Sequence, residues 1–430
     1  MILSKRSTKR RPSGLPVIAI AAVLVAVTSC QTVVIVPPAP TGVHRSTDVA
    51  AFADRVAISR PQLPYIAKAA EAAAQQAADY PNSLINAPYS GQDAFAEEMM
   101  NRAGGLANIM PHIERSGQVT PDDVAVFAIR SWEESGTKMI PMMRDYKGRG
   151  WIVTLFASKA GAPDDLDVDW FIDNGASSGS ADEGAVNVIA NALNGWLWVC
   201  EYSAALTRHG RYPGILRSVL AEGHQKHNYK LQAGNRRFLG DTDQTIAAET
   251  LGQQYFERVD RLLADIVNDK SLAEIDAAAK VVADHINAGG TLKVATCLHI
   301  LMSEIFTKTK APFQPFNAIW GGAQEFDDNL HDGDLLVYFA YVGMQTPYRQ
   351  YGDYIAGTGT PVVTCYVTCD NPLWNKPVGL AHIEQHWHIP DAEIAVPFPP
   401  AFVAPVSGID QALLFRMLDR AIAVKLTAEK

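Results

Sequence analysis

The 430-residue chain is 48% hydrophobic and 19% charged, which excludes a disordered protein and exceeds what one ordinary core holds. Two domains of common size are expected. A formal net charge of -9 excludes the concentrated basic surface that a nucleic-acid backbone requires.

In chain order, the first feature is Lys5, Arg6, Lys9, Arg10 and Arg11, then the apolar run LPVIAIAAVLVAV, then Val27-Thr28-Ser29-Cys30. Charged, apolar and small residues in that order make an export signal. The last four resemble a bacterial lipobox, which implies a lipoprotein signal peptide over residues 1–30 and a lipid on Cys30. An ordinary signal peptide or an uncleaved anchor are the alternatives. Gln31, in place of Asp after that cysteine, resembles lipoproteins sorted to the outer membrane, so the expected location is the cell envelope, facing the periplasm. Arg10-Arg11 lacks the rest of a twin-arginine pattern. The Pro-rich residues 31–50 read as a linker, and no later stretch is long and apolar enough to span a bilayer. An oxidising compartment permits a disulfide, most simply between two of Cys297, Cys365 and Cys369; Cys365 and Cys369 alone lack a metal-binding spacing.

Residues 64–79 are Ala-rich and helical, SLINAP at 83–88 reads as a buried strand, and AFAEEMMNRAGGL at 94–106 as a helix stopped by Gly104-Gly105. DDVAVFAI at 122–129 is a continuous apolar run suited to a strand buried on both faces. A loop and helix, SWEESGTKMIPMMRDY, lead to the strands WIVTLFA at 151–157 and VDWFID, ending at Asp173, and then to long helices. The second half repeats this order: a helix at 275–290, the strand LKVATC, the helix HILMSEIF, the strands DLLVYFAY at 334–341 and PVVTCYV at 361–367, and DAEIAVP as another. Asp123-Val124 corresponds to Asp334-Leu335, and Ile152-Val153-Thr154 to Val362-Val363-Thr364, at an offset of about 210 residues. Alternating strands and helices make a parallel α/β layer, so the chain reads as two copies of one domain, over 51–240 and 241–430.

The stretch PYSGQDAFAEEMMNRAGGLANIMP resembles an uncharacterised bacterial branch of the sugar isomerase (SIS) domain family; Glu97, Glu98, Arg102, Ala103, Gly104 and Gly105 fall on its pattern. Ile172-Asp173-Asn174-Gly175-Ala176 matches a later run, and the segment from Glu222 to Asn228, EGHQKHN, looks like its acidic, His and Asn segment. The resemblance covers about residues 60–240, the second half matching only the general pattern. It implies an α/β chain of two flavodoxin-like SIS domains, each a parallel sheet flanked by helices, holding a phosphosugar outside the carboxyl ends of the strands. The family's phosphate grip is a Ser-x-Ser-Gly turn entering a helix, where hydroxyls and backbone N–H groups bind the anion.

Against that pattern, Ile129 stands where the first serine belongs, Ser131 survives, and Trp132 replaces the glycine, with Ser135 and Thr137 as a displaced grip. In the second copy Ala340 to Gly343 replace both serines and keep only the glycine, leaving Gln345 and Thr346 as polar candidates, while Ser407 occupies the place of another pocket serine. Upstream, Ser90, Gln92, Thr296 and His299 remain from the family's Gly-x-Gly-His-Ser-His turn.

Glu97 and Glu98 are about 100 degrees apart on a helix, so one faces inward; Glu98 and Glu304 are the equivalent pair and the candidate bases for proton transfer between adjacent carbons. A solvated helix face is the alternative. His227 and His299 are the candidate acids, and the resemblance implies that His224 and His227 reach a neighbouring pocket; a cap and linker is the plainer reading. His382, His386 and His388, with Glu384 and Asp391 near them, are a possible zinc set or an ordinary surface cluster, and no metal or cofactor is assigned. The leading expectation is an envelope-anchored tandem SIS protein that binds a sugar or sugar derivative without normal phosphosugar isomerisation, with homodimerisation open. An active isomerase or lyase on an amino sugar, and a structural or interaction protein, are the alternatives.

Overall fold

The protein is described by a computed structural model covering residues 47–80, 83–89, 93–111, 120–176, 184–220, 223–233, 238–296, 300–301, 309, 311–317, 323–343, 351–369, 379–397 and 401–428. The first half contains α1 (Thr47–Ser59), α2 (Leu63–Asp79), β1 (Ile85–Asn86), α3 (Asp93–Met99), β2 (Ile109–Met110), β3 (Val124–Ala128), α4 (Thr137–Gly148), β4 (Ile152–Ala157), β5 (Trp170–Asp173) and α5 (Gly184–Arg208). A hairpin of β6 (Arg211–Pro213) and β7 (Phe238–Asp241) encloses α6 (His224–Ala233). The second half contains α7 (Thr250–Ile266), α8 (Asp269–Asn287), β8 (Thr291–Thr296), β9 (Gln314–Asn317), α9 (Ala323–Asn329), β10 (Asp334–Val342), α10 (Gly352–Thr358), β11 (Val362–Val367), β12 (Ala381–Glu384), β13 (Ile394–Val396), β14 (Ala401–Val403) and α11 (Ser407–Ala428).

Each half builds a five-stranded parallel sheet, ordered β2-β1-β3-β4-β5 in one and β9-β8-β10-β11-β12 in the other. Counted along the chain, both orders are 2-1-3-4-5, the flavodoxin-like winding, whose switch point lies between the first and third strands. The middle strand of each sheet is buried throughout, all nine residues in β10, because helices cover both of its faces.

Alternation along the strands decides what each face packs against. Val124, Val126 and Ala128 join Leu335, Val337 and Phe339 in one large core built with α1, α2, α5, α7, α8 and α11. Ala125, Phe127 and Ile129 face Met139, Met143 and Tyr146 on α4, while Leu336, Tyr338 and Ala340 face Phe326, Tyr351 and Ile355 on the opposite outer side. Residues His44–Lys430 accordingly form one compact unit.

Two expectations are corrected. The signature helix ends at Met99, not at Gly104-Gly105: Asn101 turns the backbone left-handed (φ 54°), and Gly104 is spent on close packing described below. DAEIAVP contributes a strand, but β13 pairs antiparallel with β14 in a separate ribbon; the fifth strand of the second sheet is β12, from the histidine-rich segment. Its alternating His and Glu leave only Ile383 fully apolar and buried, so the apolar-run signal is weak there.

Candidate functional site

Both ends of the two sheets are assembled by the same side-chain-to-backbone bonds. Asp123 and Asp334 open β3 and β10, and each accepts the N–H three residues back, from Thr120 (2.7 Å) and His331 (2.8 Å). Asp173 and Glu384 end the fifth strands and accept an N–H within two residues of the end of the fourth, Lys159 at 3.0 Å and Thr368 at 2.8 Å. Arg55 of α1 donates to the Gly175 carbonyl, and Arg258 of α7 donates to the His386 carbonyl. The last shared device is a neutral amide pair. Asn174 donates to Asn191 (3.0 Å), which donates to the Ile129 carbonyl (3.1 Å); Gln411 donates to Gln385 (2.9 Å), and both donate to the Ala340 carbonyl, at 3.4 and 3.1 Å. Carboxamides suit this place because each offers donor and acceptor without carrying a charge into a buried site.

These latches grip the carboxyl end of the middle strand, at the residue just past β3 in one half and at Ala340 within β10 in the other, where the resemblance places a phosphate-binding turn. Ile129 and Ala340 both lie in the outer cores, their side chains directed down onto covering helices. Asn187 adds a bond to the next carbonyl, of Arg130 (3.2 Å). Ser131 is buried at the mouth of this turn. Trp132 donates its indole N–H to the Ser158 carbonyl (2.7 Å) and stacks on Phe171, so it roofs the loop beyond β4. Residues Trp132–Gly136 form a π-helical turn that carries Ser135 and leads into α4, whose first residue is Thr137; the side chains of those two lie outside the described residues. At the second switch point Thr296 is buried at the end of β8, and Gly343 (φ 56°) donates its N–H to Val367 at 3.0 Å. Ser90, Gln92, His299, Glu304, Gln345, Thr346, Cys30 and Cys297 lie outside the described residues.

Glu98 points inward and is wholly buried where the two halves meet. It accepts the Trp196 indole N–H at 3.0 Å and lies 3.9 Å from Arg102, whose guanidinium reaches Asp391 at 3.3 Å and also donates to Ser407. Tyr341 donates its hydroxyl to Asp391. Two carboxylates therefore share one guanidinium inside the protein. Burial raises the Glu98 carboxyl above its ordinary range and pushes Asp391 up to about 7, against the pull of Arg102 on both. Burial works to lower the Arg102 pKa, but Glu98 and Asp391 outweigh it and hold the guanidinium charged. Gly104 of the signature and Gly408 of the second half serve this seam. A Cβ on Gly104 would stand 2.7 Å from Ala392 Cβ and 2.8 Å from the Ala404 nitrogen, and one on Gly408 would stand 2.6 Å from both Glu98 oxygens.

The other sequence candidates take separate places. His224 and His227 bond the carbonyls of Ser218 (3.0 Å) and Ile215 (3.4 Å), fastening α6 to the preceding loop. The three clustered histidines do not converge: His382 meets Thr364 and Glu384, His386 lies between Ser271 and Asp410, and the exposed His388 meets Glu393. Among the described residues no group of three metal-ligating side chains converges. Cys200 and Cys365 are buried free thiols.

Sequence reasoning passed over the amide latches and Glu201. Glu201, on α5, is buried against the start of α7 and accepts the N–H groups of Glu249 (2.7 Å) and Gly252 (2.9 Å), and burial raises its pKa. The signal for the latches was available: an amide residue follows the fifth strand in both copies, Asn174 and Gln385, and each half's last long helix carries a second one.

No family model and no curated protein matches the sequence. Solved structures similar to the chain include a candidate phosphosugar isomerase from Silicibacter pomeroyi, with 9% identity over 89% of this chain and 98% of that one, and a TM-score of 0.49. Tagatose-6-phosphate ketose/aldose isomerase from Escherichia coli shares 12% identity over 88% of this chain and 92% of its own, with a TM-score of 0.48. The C-terminal domain of glucosamine-fructose-6-phosphate aminotransferase from Francisella tularensis shares 7% identity over 88% and 93%, with a TM-score of 0.45.

Proposed function

We propose that this protein is a tandem SIS-type module that binds a sugar or sugar derivative at the carboxyl ends of its sheets, without the phosphosugar isomerisation of that family. The flavodoxin-like winding, present twice, supplies two switch-point crevices of the kind that hold ligands in open α/β sheets. The observation that carries the loss of a normal phosphate grip is the same in both halves. Ile129 and Ala340, at the first serine position, offer no hydroxyl and pack into the outer cores, and amide latches hold their carbonyls. Trp132, at the glycine position, is committed to Ser158 and Phe171 and adds bulk where a phosphate would need bare backbone. A neutral or amino-sugar ligand needs no such cradle.

Glu98 is best assigned to the seam between the halves, since its carboxyl is shut from solvent and engaged by Trp196 and Arg102. A lipid on Cys30, with the residues between it and α1 as linker, would hold the module at the envelope membrane, facing the periplasm; no described helix is long and apolar enough to cross a membrane. Thermal shift against paired phosphorylated and unphosphorylated sugars tests the ligand class. Stabilisation by neutral or amino sugars is expected. Stabilisation by phosphosugars alone would overturn the eroded-grip reading, and none by any sugar would favour an interaction scaffold. The anchor is tested by Cys30→Ala, which should abolish incorporation of a labelled fatty acid.

A further inference from the structure

We infer that the outer face of α6, with Arg217 beside it, docks on an anionic lipid surface. The chain as a whole carries -9, yet residues 208–237 hold seven basic residues and one acidic, a net of +6. The described part of this stretch is fixed in place. His224 and His227 bond the carbonyls of Ser218 and Ile215, and Asn228 clamps Arg217 through both its N–H (2.8 Å) and its carbonyl (2.7 Å). With those three side chains turned inward, helical spacing turns Gln225, Lys226, Tyr229 and Lys230 outward. Tyr229 is 61% exposed, an unusual place for an aromatic ring, and Gln225 donates to its hydroxyl at 3.3 Å.

Among the described residues no carboxylate comes within ion-pair distance of Arg217, Lys226 or Lys230, although the molecule is acidic overall and its other exposed cations are often paired. The positive potential registers on a neighbour: partial burial, then Arg217, His224 and Lys230, depress the His227 pKa. An exposed tyrosine flanked by lysines that have no carboxylate partner among the described residues is the arrangement that suits a headgroup layer, the ring seated at the interface and the ammonium groups on phosphates. A nucleic acid would ask for a longer basic track and several stacking rings, whereas this face offers one ring. Docking is independent of the sugar reading and involves neither switch point.

Flotation of the full chain with vesicles of neutral phosphatidylcholine, and with vesicles containing about one-third phosphatidylglycerol, tests this directly. Three cations near an anionic surface give a preference on the order of 100-fold for the anionic vesicles, declining with salt. Because any affinity of the apolar N-terminal run for a bilayer is common to both vesicle types, the ratio is the quantity read. Lys226→Glu with Lys230→Glu should reduce that ratio on the order of 30-fold or more, while Lys226→Arg with Lys230→Arg preserves it. Tyr229→Ala should weaken anionic-vesicle binding with an unchanged salt dependence. A ratio near one for the wild type, a ratio untouched by the double charge reversal, or capture by heparin without any vesicle preference would each overturn the inference. Urea melts of the variants, matching the wild type, keep a folding defect from being read as lost docking.

Discussion

Replacing Asp391 by Asn puts the buried seam to its sharpest test. In the folded protein this carboxyl, in contact with Arg102 and Tyr341, is pushed by burial from 3.8 to about 7. Between those values the folded chain keeps a proton that the unfolded chain has released, so stability is fully present below about 3.8 and is lost as pH rises through 7. At 1.36 kcal/mol per pH unit the rise corresponds to ~4 kcal/mol. Asn keeps the shape and accepts from the same two donors, but it does not titrate. Urea unfolding of wild type and Asp391→Asn at a series of pH values should therefore show the variant gaining about 4 kcal/mol on the wild type between pH 4 and pH 7.5. Glu98→Gln carries the same sign, because burial raises that carboxyl as well. A difference that stays constant with pH, or a wild type that gains on the variant as pH rises, would refute the claim that one guanidinium serves two buried carboxyls only by retaining a proton.

Three further outcomes are expected. Gly104→Ala combines a left-handed φ of 77° with contacts of 2.7 and 2.8 Å, and should cost about 3 kcal/mol or more; adding Ala392→Gly should recover only part, since the Ala404 backbone stays in place. Thermal melts measure both. Asn191→Ala strips the Ile129 carbonyl and Asn174 of their partner and should cost about 2–3 kcal/mol, whereas Gln411→Ala leaves the Ala340 carbonyl bonded to Gln385 and should cost less; the two share no partner, so urea melts of the double variant should add within about 0.5 kcal/mol. Asp123 accepts from Leu84 and Thr120 where Asp334 accepts from His331, so Asp123→Ala should destabilise more than Asp334→Ala in the same assay, by about 1 kcal/mol.

What the sequence discloses is set by how much of the signal is local. Buried parallel strands announce themselves as apolar runs, so 122–129, 151–157, 334–341 and 361–367 lie within a residue or two of their observed ends. Short edge strands do not: β2 and β9, at two and four residues, carry too few side chains to make a pattern, and β12 is disguised by its histidines. The inward turn of one glutamate follows from helix geometry alone, and Glu98 is the one that turns. Its partners do not follow, because Arg102 is four residues away while Asp391 and Ser407 lie 289 and 305 residues beyond Arg102. Reading the glycines as a helix stop was reasonable locally and incorrect, because what selects Gly104 is a neighbour from the other half.

The two halves agree at their strand ends and differ at their seam, and the reason is geometric. Arg55 and Arg258, Asp173 and Glu384, Asn191 and Gln411 each do one job twice, since each job depends only on the local winding of one sheet, which the halves share. The seam has no such local rule. Glu98, Arg102 and Gly104 come from one half and meet Tyr341, Asp391, Ala392, Ser407 and Gly408 of the other, unlike residues on unlike elements. Within one chain, pairing two copies needs only one complementary contact, so each side is free to specialise. The AFAEEMMNRAGG stretch is thus explained by what it touches: a charge and a bare backbone that let the second half close on the first.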